Sequence, residues 1–161
     1  RFEQALKDTA SIIGICSSRP EEEYGGVAPD NLLALGNSEY AIIECKSRTT
    51  TEAISKHDCN QLLGSVQWFK NHYIDSNLTY YPIMIHNSSE FGTAASPSND
   101  IRIMTPILLN NFCISVRRFA EAIIQNDVVG KINEVEKLLN QLKLNGKQII
   151  EAYTQPFTKR S

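Results

Sequence analysis

The stretch APDNLLALGNSEYAIIECKS, residues 28–47, contains the clearest indication of fold in this sequence. Two short apolar runs, NLLAL and YAIIECK, are separated by Gly36-Asn37-Ser38-Glu39. Short β-rich runs on either side of such a turn are typical of a β-hairpin. The sequence therefore predicts two antiparallel strands with a four-residue connection, and it places Asp30 at the start of the first strand.

The second strand of this hairpin ends in the tripeptide Glu44-Cys45-Lys46. Side chains alternate between the two faces of a strand, so Glu44 and Lys46 are predicted on one face and Cys45 on the other. Ile42 shares the parity of Glu44, so this face changes from apolar to charged at the end of the strand. Such a change is unusual in a strand with a purely structural role.

The rest of the chain alternates between helical and strand patterns. Apolar spacing predicts helices at 2–13 and 52–73, the second with an N-cap in residues 49–51. Residues 78–86 are rich in β-formers, and Pro82 indicates that it starts a strand or lies at an edge rather than in the middle of the sheet. This alternation favours the α/β class. Another strand is predicted at 101–105, helices at 106–125 and 131–142, and loops at 17–29 and 87–100.

Asp30 and Glu44 are candidates for a metal site. Hydrolysis of a phosphodiester needs a cation that neutralises transition-state charge and activates water, and Mg²⁺ prefers oxygen ligands. We expect Asp30, Glu44 and the backbone carbonyl of Cys45 to hold Mg²⁺ or Mn²⁺. Lys46 would lie beside the attacking water, where it can orient the water and stabilise negative charge.

The order of these elements and residues resembles the PD-(D/E)xK superfamily of restriction-like nucleases and Holliday-junction resolvases. In that superfamily a helix with a Glu precedes the strand that carries the Asp, and a helix with a polar residue follows the (D/E)xK strand. Glu3 and Gln61 stand at the matching helical positions. The resembling segments cover roughly residues 1–86.

The resemblance implies a restriction-endonuclease-like core, with a mixed sheet of four to five strands flanked by helices and extra C-terminal helices. Residues 1–161 would form one domain, with a core at about 1–106 and a helical part at about 107–155. The implied activity is metal-dependent cleavage of nucleic acid, DNA in preference to RNA. The implied site residues are Asp30, Glu44, Lys46, Gln61 and Glu3.

Length and composition suit one globular domain. The chain has 161 residues, of which 42% are hydrophobic and 21% charged. No apolar run reaches the roughly 20 residues of a membrane span, so no membrane partner is expected. Four cysteines without a CxxC pair favour an intracellular location, cytoplasmic or nuclear. The chain begins at Arg1 in helical pattern, which indicates a piece of a longer polypeptide with other domains as partners.

The charges are distributed unevenly, although the net charge is only -2. Residues 1–100 carry 7 Lys or Arg and 13 Asp or Glu, whereas residues 101–161 carry 9 and 5. An acidic metal centre beside a basic phosphate-binding surface would produce this division, and so would an ordinary solvated surface. The low net charge counts against a broad nucleic-acid-binding surface.

Other functions and structural roles fit the same sequence. One is a catalytically inactive module on the same fold that binds nucleic acid or protein. Another is an interaction domain, or a homodimer, in which the apolar stripe of helix 131–142 packs against a partner. Asp30 also suits a turn, and Glu44 with Lys46 an edge-strand ion pair. Several further residues are interpreted as core, structural or surface groups rather than site residues: Trp68, Phe69, His57, His86, Arg117, Arg118, Lys131, Lys137, Lys143 and Lys147.

Overall fold

Helices and strands are interspersed along the chain, as is typical of the α/β class. The structure is a computed structural model that describes residues 2–46, 51–126 and 130–160. The strands are β1 (Cys16–Ser18), β2 (Asn31–Gly36), β3 (Glu39–Cys45), β4 (Thr79–Ile85), β5 (Glu90–Phe91), β6 (Arg102–Met104), β7 (Gln155–Pro156) and β8 (Thr158–Lys159). The helices are α1 (Phe2–Ile12), α2 (Pro20–Tyr24), α3 (Lys56–His72), α4 (Pro106–Gln125), α5 (Ile132–Gln141) and α6 (Gln148–Tyr153).

Six of the strands form one mixed sheet in the order β1-β2-β3-β4-β6-β7, and β5 pairs with β8 in a two-stranded sheet. The predicted α/β class is therefore confirmed. The sheet is wider than the four to five strands expected, because the short strands β1 and β7 extend its two edges. Segments of two or three residues show no measurable alternation, so the sequence pattern does not reveal them.

The predicted hairpin is formed by β2 and β3, but its connection is shorter than expected. Gly36 pairs with Glu39, so the turn consists of Asn37 and Ser38 rather than four residues. Both turn residues have positive φ, 51° for Asn37 and 60° for Ser38. A two-residue turn with positive φ at both positions has the twist that antiparallel strands need.

The strand register brings together the residues on which the function was predicted. Asn31 lies opposite Ile43, so Asp30, just before β2, reaches the level of Glu44 at the end of β3. β3 and β4 are parallel, with Cys45 opposite Ile85, so their carboxyl ends lie at the same edge of the sheet. The start of β2 and the carboxyl ends of β3 and β4 therefore lie close together at one edge of the sheet.

Pro82 is the fourth residue of β4, and β4 lies between β3 and β6, so the prediction that Pro82 starts a strand or lies at an edge is wrong. Proline lacks the N–H that a central strand normally donates. It is tolerated here because β4 pairs with β6 only from Ile83 to Ile85. At Pro82 the strand has a paired neighbour on the β3 side alone.

The two faces of the sheet are packed differently. One face is covered by α1, α4 and α6 over a single large apolar cluster that includes Leu6, Ile43 and Phe112. The other face is covered by α3 and carries two smaller clusters, one around Leu62 and Met84 and one around Ile42, Trp68 and Phe69. Trp68 and Phe69 are core residues, as predicted.

The predicted helices are confirmed as α1, α3, α4 and α5, with one correction. α3 begins at Lys56 with Ser55 as its N-cap, whereas the sequence placed the cap at 49–51. Residues 49 and 50 lie outside the described residues, and Thr51 precedes the helix. In α5, Val135, Leu139 and Leu142 pack against the large cluster, so most of its apolar stripe covers this chain's own core.

The regions predicted as loops contain short elements. β1 begins one residue before the predicted loop 17–29, α2 lies within that loop, and β5 lies within 87–100. Each is too short to show a period. Among the described residues, no helix is long and apolar enough to cross a membrane.

Candidate active site

Asp30 links the start of β2 to the end of β3 through a hydrogen bond. It follows the buried Pro29 and directly precedes β2. Its Oδ2 accepts a hydrogen bond of 2.6 Å from the backbone N–H of Cys45. The carboxylate is therefore fixed against the end of β3, between the positions of Glu44 and Lys46.

Glu44 is a buried carboxylate, with only 5% of its surface exposed. Its Oε1 accepts a 2.6 Å hydrogen bond from the Ser65 hydroxyl, and its Oε2 lies 3.5 Å from the Lys46 ammonium. Burial, and then the negative charge of Asp30, raises the pKa of Glu44, while the contacts with Ser65 and Lys46 oppose that rise. Two carboxylates are thus held close together with one adjacent cation.

The side chains of Glu44 and Lys46 lie on the same face of the sheet, as the alternation predicted. Their ion pair shows this, with Lys46 just beyond the end of β3. Cys45 packs against the large apolar cluster of the opposite face, so its sulfur is directed away from the two carboxylates. Burial, and then the charge of Asp30, raises the pKa of the Cys45 thiol. Only its backbone is available to the candidate site, and the N–H is already bonded to Asp30.

α3 contributes Ser65, which the sequence analysis did not single out. Ser65 is buried between the apolar residues Leu62 and Val66, and it donates to Glu44. Gln61, the predicted residue of this helix, lies one turn earlier on the same side and is half-buried. Within the described part of the chain, the Gln61 side chain makes no hydrogen bond, so its role stays a prediction.

Glu21, which was not among the predicted site residues, also lies beside Asp30. Its side chain forms a hydrogen bond with Asp30, and this contact is the main reason that the pKa of Glu21 rises to about 7. Burial and the negative charges of Asp30 and Glu44 contribute further. The available signal was Pro20 followed by three glutamates, which is typical of a helix start, where Pro and acidic residues are favoured.

Glu3, the predicted site residue of α1, lies in the first turn of that helix. Its backbone carbonyl accepts a 3.0 Å hydrogen bond from the Asn31 amide, which connects α1 to the start of β2. A hydrogen bond from its own backbone N–H is the main cause of its lowered pKa. Its charge contributes to the raised pKa of the Cys45 thiol, so Glu3 acts electrostatically on that residue.

The two histidines near the site differ in burial. His57 is exposed on α3, whereas His86 is buried just beyond β4, at the sheet position next to Lys46. The His86 Nδ1 accepts a 2.8 Å hydrogen bond from the N–H of Ser88, and burial lowers its pKa. The imidazole is therefore neutral and held by the backbone.

The six basic residues of the C-terminal half that were predicted as surface groups are exposed: Arg117, Arg118, Lys131, Lys137, Lys143 and Lys147. Arg117 pairs with Glu121 on α4, and Lys147 pairs with Glu151 on α6 and its N-cap. These pairs are the solvated surface that the sequence analysis favoured. They do not contact the carboxylates.

The side chains of the candidate site do not complete a metal centre by themselves. In residues 2–46, 51–126 and 130–160, no three His, Cys, Asp or Glu side chains are arranged to hold a metal ion together. A divalent ion held by Asp30 and Glu44 would need the Cys45 carbonyl and water as its remaining ligands. Mg²⁺ commonly retains several waters and takes only one or two carboxylates.

Comparisons with known proteins give no family for this chain. No protein-family model, no curated protein and no solved structure matches it.

Proposed function

We propose that this chain is a metal-dependent nuclease of the PD-(D/E)xK type. The observation that carries the proposal is that Asp30, Glu44 and Lys46 lie together where β2 begins and β3 ends. A buried carboxylate beside a second carboxylate is destabilising unless a cation compensates it. The resemblance of the residue order to that superfamily supports nucleic acid as the substrate.

The donor set fits a divalent cation. Asp30 and Glu44 offer carboxylate oxygens, and burial, followed by the negative charge of Asp30, raises the pKa of Glu44. Glu21 takes up a proton near neutral pH because it hydrogen-bonds to Asp30. A bound Mg²⁺ or Mn²⁺ supplies Lewis acidity and a more acidic water, and it offsets the repulsion between these carboxylates.

Lys46 is positioned to act on the phosphate or on the attacking water. Its backbone N–H donates a 2.8 Å hydrogen bond to the Ile85 carbonyl, which fixes the chain between β3 and β4. Its side chain is mostly buried, with 18% exposed, and its ammonium lies 3.5 Å from Glu44. A desolvated, fixed ammonium stabilises developing negative charge better than a mobile surface lysine does.

Ser65 and Glu21 have supporting roles in this proposal. Ser65 orients Glu44 through a short hydrogen bond, so that one oxygen is occupied and the other faces Lys46. Glu21 adds a third carboxyl group next to Asp30, able to accept a proton at neutral pH. Both residues position the two carboxylates rather than replace them.

Cleavage assays on labelled single-stranded and duplex DNA and RNA, with Mg²⁺ or Mn²⁺, test the proposal. The parent chain should cut at least one substrate. Lys46→Ala should cut on the order of 100-fold more slowly while folding and binding normally, because it removes a positioned charge worth ~3 kcal/mol in the transition state. Lys46→Arg should not restore the rate fully, since a guanidinium differs in shape and stays protonated.

Calorimetry tests the metal separately. Mg²⁺ or Mn²⁺ should give a binding signal that Asp30→Ala removes. Equal cleavage by the parent and Lys46→Ala would contradict the catalytic assignment.

The alternative is an inactive module that binds nucleic acid on the same fold. It is favoured by the absence, among the described residues, of three protein side chains that hold a metal ion. Nucleic-acid binding without metal binding and without cleavage would establish this alternative.

A further inference from the structure

A cavity of about 720 Å³ lies at the β1 edge of the sheet. Its walls come from α1, from β1 and α2, and from the end of α3. Its volume falls within the range of small-ligand pockets, roughly 300–1,000 Å³. The nuclease chemistry proposed above does not use it.

One wall is a stack of aromatic rings. The Trp68 and His72 rings lie 4.1 Å apart at an interplanar angle of 21°, and Tyr24 packs against both at 5.3 and 5.4 Å. The His72 ring is fixed, because its Nδ1 lies 2.8 Å from the Trp68 carbonyl, to which it donates. Trp68 is buried, whereas His72 is exposed and half of the Tyr24 surface, 50%, is accessible. The open ring surfaces are those of His72 and Tyr24, where a planar ligand can extend the stack.

The charged groups of the cavity balance each other. Lys7 and Arg19 contribute two positive charges, and Glu22 and Glu23 contribute two negative charges. Arg19 Nη1 pairs with Glu22 Oε1 at 2.6 Å. Two carboxylates disfavour a bare phosphate in this cavity, whereas a neutral planar ring with both donors and acceptors matches it. Nucleobases have that character: carboxylates accept from their amino groups, and Arg or Lys donates to their carbonyl and ring nitrogen atoms.

α2 connects the cavity to the carboxylates. Glu21 of this helix contacts Asp30, while Tyr24 lines the cavity. At 1.5 Å per residue, these two positions are about 4.5 Å apart along the helix axis. The cavity therefore lies about one turn of α2 away from the residue that contacts Asp30.

We propose that this cavity binds an unpaired nucleobase of the nucleic-acid strand that Asp30 and Glu44 act upon. The base stacks on His72 against Tyr24, and the charged groups of the rim bind its polar edge. This inference rests on nucleic acid being the ligand in the proposed function, but it does not require cleavage. It makes a single-stranded or locally unpaired region the preferred substrate, because a base inside a duplex cannot enter the cavity.

The fluorescence of Trp68 measures occupancy directly, because the chain contains 1 Trp. The parent protein is titrated, in EDTA to prevent cutting, with a single-stranded DNA oligonucleotide and with an abasic oligonucleotide of the same length. The native oligonucleotide should change the emission and bind about 10-fold or more tightly than the abasic one, as expected for loss of base stacking. Equal emission changes with both oligonucleotides would overturn the proposal.

Variants of the exposed rings provide an independent measurement by anisotropy of a labelled oligonucleotide. Tyr24→Ala and His72→Ala should each weaken binding about 10-fold, and His72→Phe, which retains a stacking ring, should restore most of it. Arg117→Ala is the control, since Arg117 is an exposed residue of α4 that does not line the cavity. Parent-like binding by both alanine variants would contradict a base site.

The results separate this inference from the nuclease proposal. Base-dependent quenching without cleavage under any condition would support the cavity and contradict the nuclease. Cleavage without base-dependent quenching would support the nuclease and contradict the cavity. Failure to bind any oligonucleotide would overturn the cavity proposal.

Discussion

The two faces of the sheet differ in how their apolar cores are organised. Under α1, α4 and α6 the core is one continuous apolar cluster. Under α3 the core is divided in two, and Glu44 with Ser65 lies where the two clusters approach each other along β3 and α3. Among the described residues, the first face buries no carboxylate, whereas the second buries Glu44 near the end of β3.

This difference indicates where stability and function reside. Buried apolar area stabilises a fold, whereas a buried carboxylate costs free energy even when it is paired and hydrogen-bonded. A polar interruption in an otherwise apolar face is therefore a candidate for function. Four predictions test whether the two faces are separated in this way.

The largest effect is expected on the continuous face. Phe112 is fully buried in the large cluster, so Phe112→Ala should lower the free energy of unfolding by about 3–5 kcal/mol. Denaturant unfolding measures this change. Cleavage per folded molecule should stay near the parent rate at low temperature, and a large loss of activity in the folded variant would show that the faces are not separate.

On the α3 face, Ser65→Ala removes the hydroxyl that donates to Glu44. We expect it to destabilise the protein by about 1–3 kcal/mol, because a buried carboxylate loses a donor, and to slow cleavage as well. Gln61→Ala is the matched comparison one turn away. It should leave the melting temperature nearly unchanged while reducing cleavage, and strong destabilisation with normal turnover would make Gln61 a structural residue.

Removing the polar interruption altogether should reverse the sign of the stability change. In the triple variant Glu44→Met, Lys46→Met and Ser65→Ala, apolar groups replace the carboxylate, its donor and the paired ammonium. Replacing a whole buried ion pair in this way is often stabilising, here by about 1 kcal/mol or more, because neither charge of the pair remains. The same variant should have no nuclease activity. A variant less stable than Ser65→Ala alone would indicate that the Glu44 contacts are net stabilising.

The smallest effect concerns pH. The pKa of Glu21 is about 7 in the folded chain, against an ordinary value of 4.5. Because the folded state holds the proton more tightly, its contribution to stability is complete below pH 4.5 and is lost as the pH rises through 7. Glu21 is exposed, so we expect no more than about 1 kcal/mol. Thermal melts in EDTA from pH 5 to 8 should show this decline, and it should be weaker in Glu21→Gln.

Local sequence patterns predicted the β2–β3 hairpin and the side-chain directions at its end. The hairpin follows from alternation and a turn, and the separation of Glu44 and Lys46 from Cys45 follows from strand parity. The sequence did not reveal Ser65, because the spacing along α3 defines a face but not which turn of the helix lies level with Glu44. Glu21 depends on a five-residue helix that brings it to Asp30 through tertiary structure. The position of Pro82 was predicted wrongly, because a proline is tolerated inside β4 only where β6 is not yet paired, and the sequence does not show where β6 begins.

The pairing of β5 with β8 joins residues that are far apart in the chain, with Glu90 opposite Thr158. By contrast, every group in the carboxylate cluster lies between residues 21 and 65. During synthesis at about 5–20 residues per second, roughly 5–20 s separate the emergence of Ser65 from that of Thr158. The residues of the acidic site thus emerge from the ribosome well before the β5–β8 pair can close, and a nascent chain carries them while the β6 edge still lacks β7.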